Sequence, residues 1–175
     1  MRKGVEDGVR AMAGARRSLA ASDAATPAFD LAAFLPYRIV ALGHVMGETL
    51  AEAYADESVG VNEWRTLAVI GQSRDSGVAA RDVVARTPLD KMAVSRAVAS
   101  LEAKGLIARN AAANDRRMSC LSLTADGRRV YERIVGIAVD YERRLLEALS
   151  TDASGALEST LRRLEACASA LAEEG

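Results

Sequence analysis

The sequence holds few of the residues that most protein chemistry uses. It has one histidine, His44, and two cysteines, Cys120 and Cys167, in 175 residues. Zinc sites take three or four Cys or His ligands within short reach, and these three are scattered. A Ser-His-Asp or Cys-His pair would have to use His44, which sits in an apolar helical stretch. Two cysteines make no disulfide framework. Nor is there a phosphate loop or nucleophile elbow, so neither an enzyme nor a bound metal or cofactor is expected. Long apolar runs are missing too. The run Ile39 to Gly47 is closed by Arg38 and Glu48, about half of the ~20 residues that span a bilayer. Near the start, Glu6, Asp7 and Arg10 interrupt any signal-peptide core. A soluble, cytoplasmic protein with no membrane partner is expected.

Aromatics are only 4%, against 50% hydrophobic residues overall. Ala, Leu and Arg, which lose little side-chain freedom in a helix, carry the composition, so the fold class is mainly α. The length suits about one domain.

Residues 1–28 are rich in Ala, Gly, Arg and Ser and read as a tail, with one weak helix at Glu6 to Leu19. A long helix follows over Asp30–Tyr54, with Pro36 as a kink or as its true start. The next helix spans Asn62–Gln72, with Asn62 as N-cap, and Gly71 to Gly77 is a loop. Two helices then come in close order, Ala79–Arg86 and Pro88–Lys104. Thr87 is the expected N-cap of the second, Pro88 its first residue, Asp90 its capping-box acid and Gly105 its stop. Leu106–Arg109 and Arg116–Leu123 pair as a hairpin around the loop Asn110 to Asp115. Thr124 caps a long helix to Leu149, Ser150 to Ser154 is a turn, and a last helix runs to Glu173. On it Leu157, Leu161, Leu164, Ala168 and Leu171 form a heptad-like seam suited to another helix.

Helix, tight turn, helix, hairpin is the order of a winged helix-turn-helix. Turning ~100° per residue from Val94, Val98 and Leu101 lie within about 40° and, with Ala97, make the buried face. Met92, Ser95, Arg96 and Ala99 face the other way, with Lys91 at the edge. Short, polar and basic side chains on an outward face suit a helix in the major groove. Local charge agrees. The net charge is −1, yet Arg81–Arg117 carries eight basic and four acidic residues, while Asp140–Gly175 carries four and eight. A basic middle suits a polyanion.

Asp115 to Gly127 fits the wing pattern D-x-R-x-x-x-L-x-L-T-x-x-G of the MarR (multiple antibiotic resistance regulator) family, which the chain resembles from about Asp30 onward. Leu89 to Arg96 is similar to the opening of that family's recognition helix, Leu101 to Ile107 to its exit into the wing, and Glu63-Trp64-Arg65 also resembles members. The resemblance implies a homodimer whose terminal helices intertwine. It implies a pseudo-palindromic operator read at half-sites one helical turn apart, and release of DNA by a phenolic or aromatic-acid ligand. A MarR-like regulator without a ligand is the alternative. The expected domains are 1–28 tail, 29–60 dimerisation helix, 61–127 DNA-binding lobe and 128–175 dimerisation helices.

The expected DNA contacts are Lys91, Met92, Ser95, Arg96, Arg109, Arg116 and Arg117, with Asp115 bracing the wing through Arg117. Tyr37, Arg38, His44, Trp64 and Arg65 fall near the family's pocket. For Trp64 a place in the core competes with that role, for Arg38 a structural ion pair, and for His44 packing or solvent. Ala79 stands where many members place a Thr or Ser cap, and Met92-Ala93 replaces a small polar pair. The first long helix lacks the cysteine of the family's peroxide-sensing branch, which argues against thiol sensing.

Overall fold

The structure, a computed structural model, describes residues 28–73, 77–112 and 115–174. The expected tail and its weak helix lie outside these residues, apart from Ala28. Residues Leu35–Arg144 form one compact unit, and the described residues on either side, 28–34 and 145–174, belong to a second.

In the first unit, helix α1 spans Leu35–Ala53. Pro36 therefore marks its start and not a kink, since a proline in the first turn removes only an N–H that has no intrahelical partner. A 3-10 turn, Ala55–Glu57, leads to α2, Val61–Gln72. Asn62 is not the N-cap of α2. Gly60 holds that position and its N–H donates to the Glu63 carboxylate at 2.7 Å.

Helix α3, Ala80–Arg86, starts at Ala79 without a side-chain cap. Helix α4 spans Lys91–Ala103 and is capped by Asp90, whose carboxylate accepts the Ala93 N–H at 2.7 Å. The expected cap, Thr87, instead donates its hydroxyl to the Val83 carbonyl at 2.9 Å and closes α3. The turn between the two helices is thus 87–90. Gly105, at φ +69°, ends α4 in a Schellman motif. Its N–H reaches the Glu102 carbonyl and that of Leu106 the Leu101 carbonyl, both at 2.9 Å.

Strands β1 (Ile107–Ala112) and β2 (Asp115–Leu123) form the antiparallel wing, longer than expected at both sides of its tip. Its register pairs Ile107 with Leu123 and Asn110 with Cys120, and shifts at Ala111/Ala112. Val78 adds a one-residue bridge, exchanging both backbone hydrogen bonds with Leu121 at 2.8–2.9 Å. Helix α5, Ala125–Glu147, follows. As expected, Thr124 caps it: its hydroxyl accepts the Gly127 N–H at 2.9 Å and donates to the Gly105 carbonyl at 2.7 Å.

The core of this unit gathers Leu67 and Ile70 of α2, Val83 of α3, Val94, Val98 and Leu101 of α4, Leu121 of β2 and Ile134 of α5 around Tyr54. Helix α1 buries no residue; Leu50 and Ala51 only edge the core. In the second unit, α6 spans Thr151–Glu173, and Ser150 accepts the Ala153 N–H, so the expected turn at 150–154 is already helix. Its seam residues Leu157, Leu161 and Leu164 are exposed.

Candidate nucleic-acid interface

The two faces of α4 are those its periodicity sets. Val94, Ala97, Val98 and Leu101 are buried at 4% exposure or less. Lys91, Met92, Ser95, Arg96 and Ala99 are exposed. Packing against α2, α3 and β1 fixes the helix from below, so the outward side chains stand on a rigid support. Neither Lys91 nor Arg96 makes an ion pair within 4 Å among the described residues, so both charges are available to an incoming phosphate or base edge. Lys91, Ser95 and Arg109 share the rim of a hollow of about 480 Å³ floored by Val84, Val94 and Val98. Arg109 differs from the other two in having an acid partner, Glu102, at 2.9 Å. Arg116 and Arg117 are placed on β2 as expected. Their side chains, and that of Asp115, lie outside the described part.

Lys104, also in the basic middle, is taken up by a contact with a distant acid. Lys104 donates to both Glu63 oxygens, at 2.6 and 2.7 Å, and to the Ser58 carbonyl at 2.7 Å. Burial works against ionisation of Glu63, but hydrogen bonds from Lys104, Ser100 and Gly60 outweigh it and hold the carboxyl below its usual range. This clamp joins α2 to the end of α4. It escaped the sequence reading because 41 residues separate the partners. The Gly60-x-x-Glu63 spacing, one glutamate three residues after a cap, was the signal available for its acidic half.

Of the five expected pocket residues, the structure brings two together. His44, Gly47 and Glu48 of α1 and Val61, Glu63 and Arg65 of α2 line a hollow of about 430 Å³. Arg65 is half-buried and has no ion pair among the described residues. Tyr37 and Arg38 lie on the first turn of α1, exposed and outside this hollow. Trp64 stacks between Tyr54 and Tyr131, with ring centroids 6.0 and 6.1 Å away, and edges the core. Burial pushes the Tyr54 hydroxyl up to about 12. No group of three or more His, Cys, Asp or Glu that could hold a metal occurs among the described residues. No described helix is long and apolar enough to cross a membrane.

Two helices joined by a four-residue turn, a two-stranded wing and an unpaired basic face on the second helix define a winged helix-turn-helix protein. The family model described as MarR family matches residues 58–118, the stretch from the start of α2 into the wing, and bears out the resemblance seen in the sequence. Solved structures share the fold. The Staphylococcus aureus MepR–DNA complex has 21% identity and a TM-score of 0.69, covering 76% of this chain and 97% of that one. CouR from Rhodococcus jostii RHA1, bound to p-coumaroyl-CoA, has 22% identity and a TM-score of 0.67, covering 78% and 95%. Bordetella bronchiseptica BpsR, whose DNA binding is regulated by 6-hydroxynicotinic acid, has 20% identity and a TM-score of 0.67, covering 79% and 97%.

Proposed function

We propose that this chain is a homodimeric, sequence-specific DNA-binding transcriptional regulator, a repressor released by a small aromatic or phenolic acid. The observation that carries the DNA reading is the outward face of α4. Lys91 and Arg96 lie there without acid partners, beside Ser95 and the exposed Met92, over a buried apolar face. Arg96 has the reach and donor geometry for a guanine edge or a phosphate, and Met92 offers apolar contact to a thymine methyl. The wing arginines Arg116 and Arg117 reach the backbone or the minor groove alongside.

Residues 61–127 are the proposed reading lobe, and 29–60 with 128–175 the proposed dimerisation parts. Support comes from the apolar side chains left uncovered on α1 (Leu35, Ile39, Leu42, Val45) and on α6. Monomeric soluble proteins rarely expose such contiguous patches. Structures of the same fold, one in complex with DNA, one bound to p-coumaroyl-CoA and one whose DNA binding is regulated by 6-hydroxynicotinic acid, support the same reading.

The ligand site proposed here is the hollow of His44 and Arg65, where an unpaired guanidinium suits a carboxylate. Releasing DNA by a factor of about a hundred needs roughly 2.7 kcal/mol of coupling between ligand and DNA. A mobility-shift series against salt on fragments of the source genome tests the DNA reading. Specific, salt-sensitive binding is expected, and no shift of any duplex at low ionic strength refutes it.

A further inference from the structure

The hollow and the reading helix share one side chain. Glu63 lines the hollow and grips the C-terminal end of α4, accepting from Lys104 through both carboxylate oxygens. The Glu63 side chain is 14% exposed and that of Lys104 35%, so the acid is largely covered while the ammonium stays in reach of solvent. Lys104 also ties the end of α4 to Ser58, which stands in the left-handed region at φ +55°.

We propose that Glu63 is the relay between the hollow and the DNA-reading helix: an anion held by Arg65 acts on α4 through the Glu63 clamp on Lys104. The proposal rests on the reading of the hollow as an anion site. A negative charge added in this hollow repels the Glu63 carboxylate, which its hydrogen bonds from Lys104 favour in the ionised form. The carboxylate swings out of the clamp. The end of α4 and the Schellman turn into the wing gain freedom, and binding DNA must then order them again, which lowers affinity. Glu63 and Lys104 are positioning residues here and need not touch DNA.

Gly47 allows a test without a ligand. A Cβ at Gly47 would lie 3.5 Å from Arg65 Nη2, so Gly47→Glu brings a carboxylate to the guanidinium, and Gly47→Gln is its uncharged counterpart. Full-length variants are titrated with a duplex that the wild-type protein selects from genomic fragments. Gly47→Glu is expected to bind at least ~5-fold more weakly than Gly47→Gln, well under the ~150-fold upper range of such couplings. The gap should shrink below ~2-fold in the Lys104→Met background and persist in Lys104→Arg. Glu63→Gln, which keeps the shape and removes the charge, is a second route that should also abolish it. Equal binding by the two Gly47 variants, or a gap undiminished in both Lys104→Met and Glu63→Gln, overturns the relay.

Calorimetry with 4-hydroxybenzoate separates the two readings. If the wild type does not bind it while the Gly47 gap depends on Lys104, the relay stands and the ligand reading fails. If it binds and releases the duplex equally well from Lys104→Met, the ligand reading stands and the relay fails.

Discussion

Replacing Gly127 by alanine should be among the most damaging single changes to the stability of the fold. Gly127 lies in the first turn of α5, against the entrance to the wing. A Cβ there would sit 1.8 Å from the Leu106 carbonyl oxygen and 2.7 Å from its carbon. These are backbone atoms and cannot rotate away. To make room, the start of α5 must lift off Leu106, which breaks the Thr124 N–H bond to the Leu106 carbonyl (3.0 Å) and the Thr124 hydroxyl bond to the Gly105 carbonyl (2.7 Å). Two hydrogen bonds at about 1 kcal/mol each, with overpacking strain of about 1–3 kcal/mol, outweigh the gain of about 1 kcal/mol from removing a helical glycine. The net loss is about 3 kcal/mol, a large part of the roughly 5–15 kcal/mol that holds a domain together. Urea unfolding followed by circular dichroism at fixed chain concentration should show a midpoint about 1.5 M lower, taking a slope of ~2 kcal/mol/M. Gly136→Ala is the control. It lies exposed in the same helix with nothing within 4 Å of its Cβ, and should gain about 0.5–1 kcal/mol. A Gly127→Ala protein as stable as the wild type would refute the reasoning.

Other changes have outcomes that follow from single contacts. Arg96→Ala should weaken operator binding by about 1–3 kcal/mol and leave the sedimentation coefficient unchanged; wild-type affinity would remove Arg96 from the readout. Ile134→Ala, at a fully buried position, should cost about 2–5 kcal/mol in thermal or urea unfolding. The Tyr54 hydroxyl ionises near 10 in the unfolded chain and near 12 in the folded one, so its stabilising effect is complete below pH 10 and is lost as pH rises toward 12. Tyr54→Phe should flatten that part of the stability profile. Deleting the chain from Leu157 onward should give monomers or insoluble protein by size-exclusion chromatography, and a soluble dimer would place the interface elsewhere.

The outward face of α4 was legible because the helix obeys one rule along its whole length. Four buried residues at helical spacing leave Lys91, Met92, Ser95 and Arg96 on the other side, and nothing tertiary competes with that. Caps were less legible. Thr87 and Asp90 are both good N-caps three residues apart, and only the path of the chain decides that Thr87 turns back to Val83 while Asp90 takes Ala93. Asn62 outranks Gly60 as a capping side chain, but Glu63 reaches back to the Gly60 N–H and fixes the start of α2 there. The wing ran longer than its composition suggests, since a ladder begun by Ile107 and Leu123 carries Asn110 and two alanines with it. The Glu63–Lys104 clamp lay beyond local pattern, being a meeting of two distant segments. So was the separation of Trp64 from Arg65: adjacent in sequence and ~100° apart on the helix, one edges the core and the other lines the hollow.

The bolt that Thr124 makes between the end of α4, the wing entrance and α5 leaves the hairpin without a hinge at its root. At about 3.3 Å per residue, β1 puts Ala112 some 16 Å from Ile107 at that root. A turn of α5 by ~10° would therefore sweep that end of the strand by ~3 Å, close to the rise of one base pair along a strand. A long shaft fixed to a stiff blade works as a tiller, so small torsions of α5 are amplified at the far end of the hairpin.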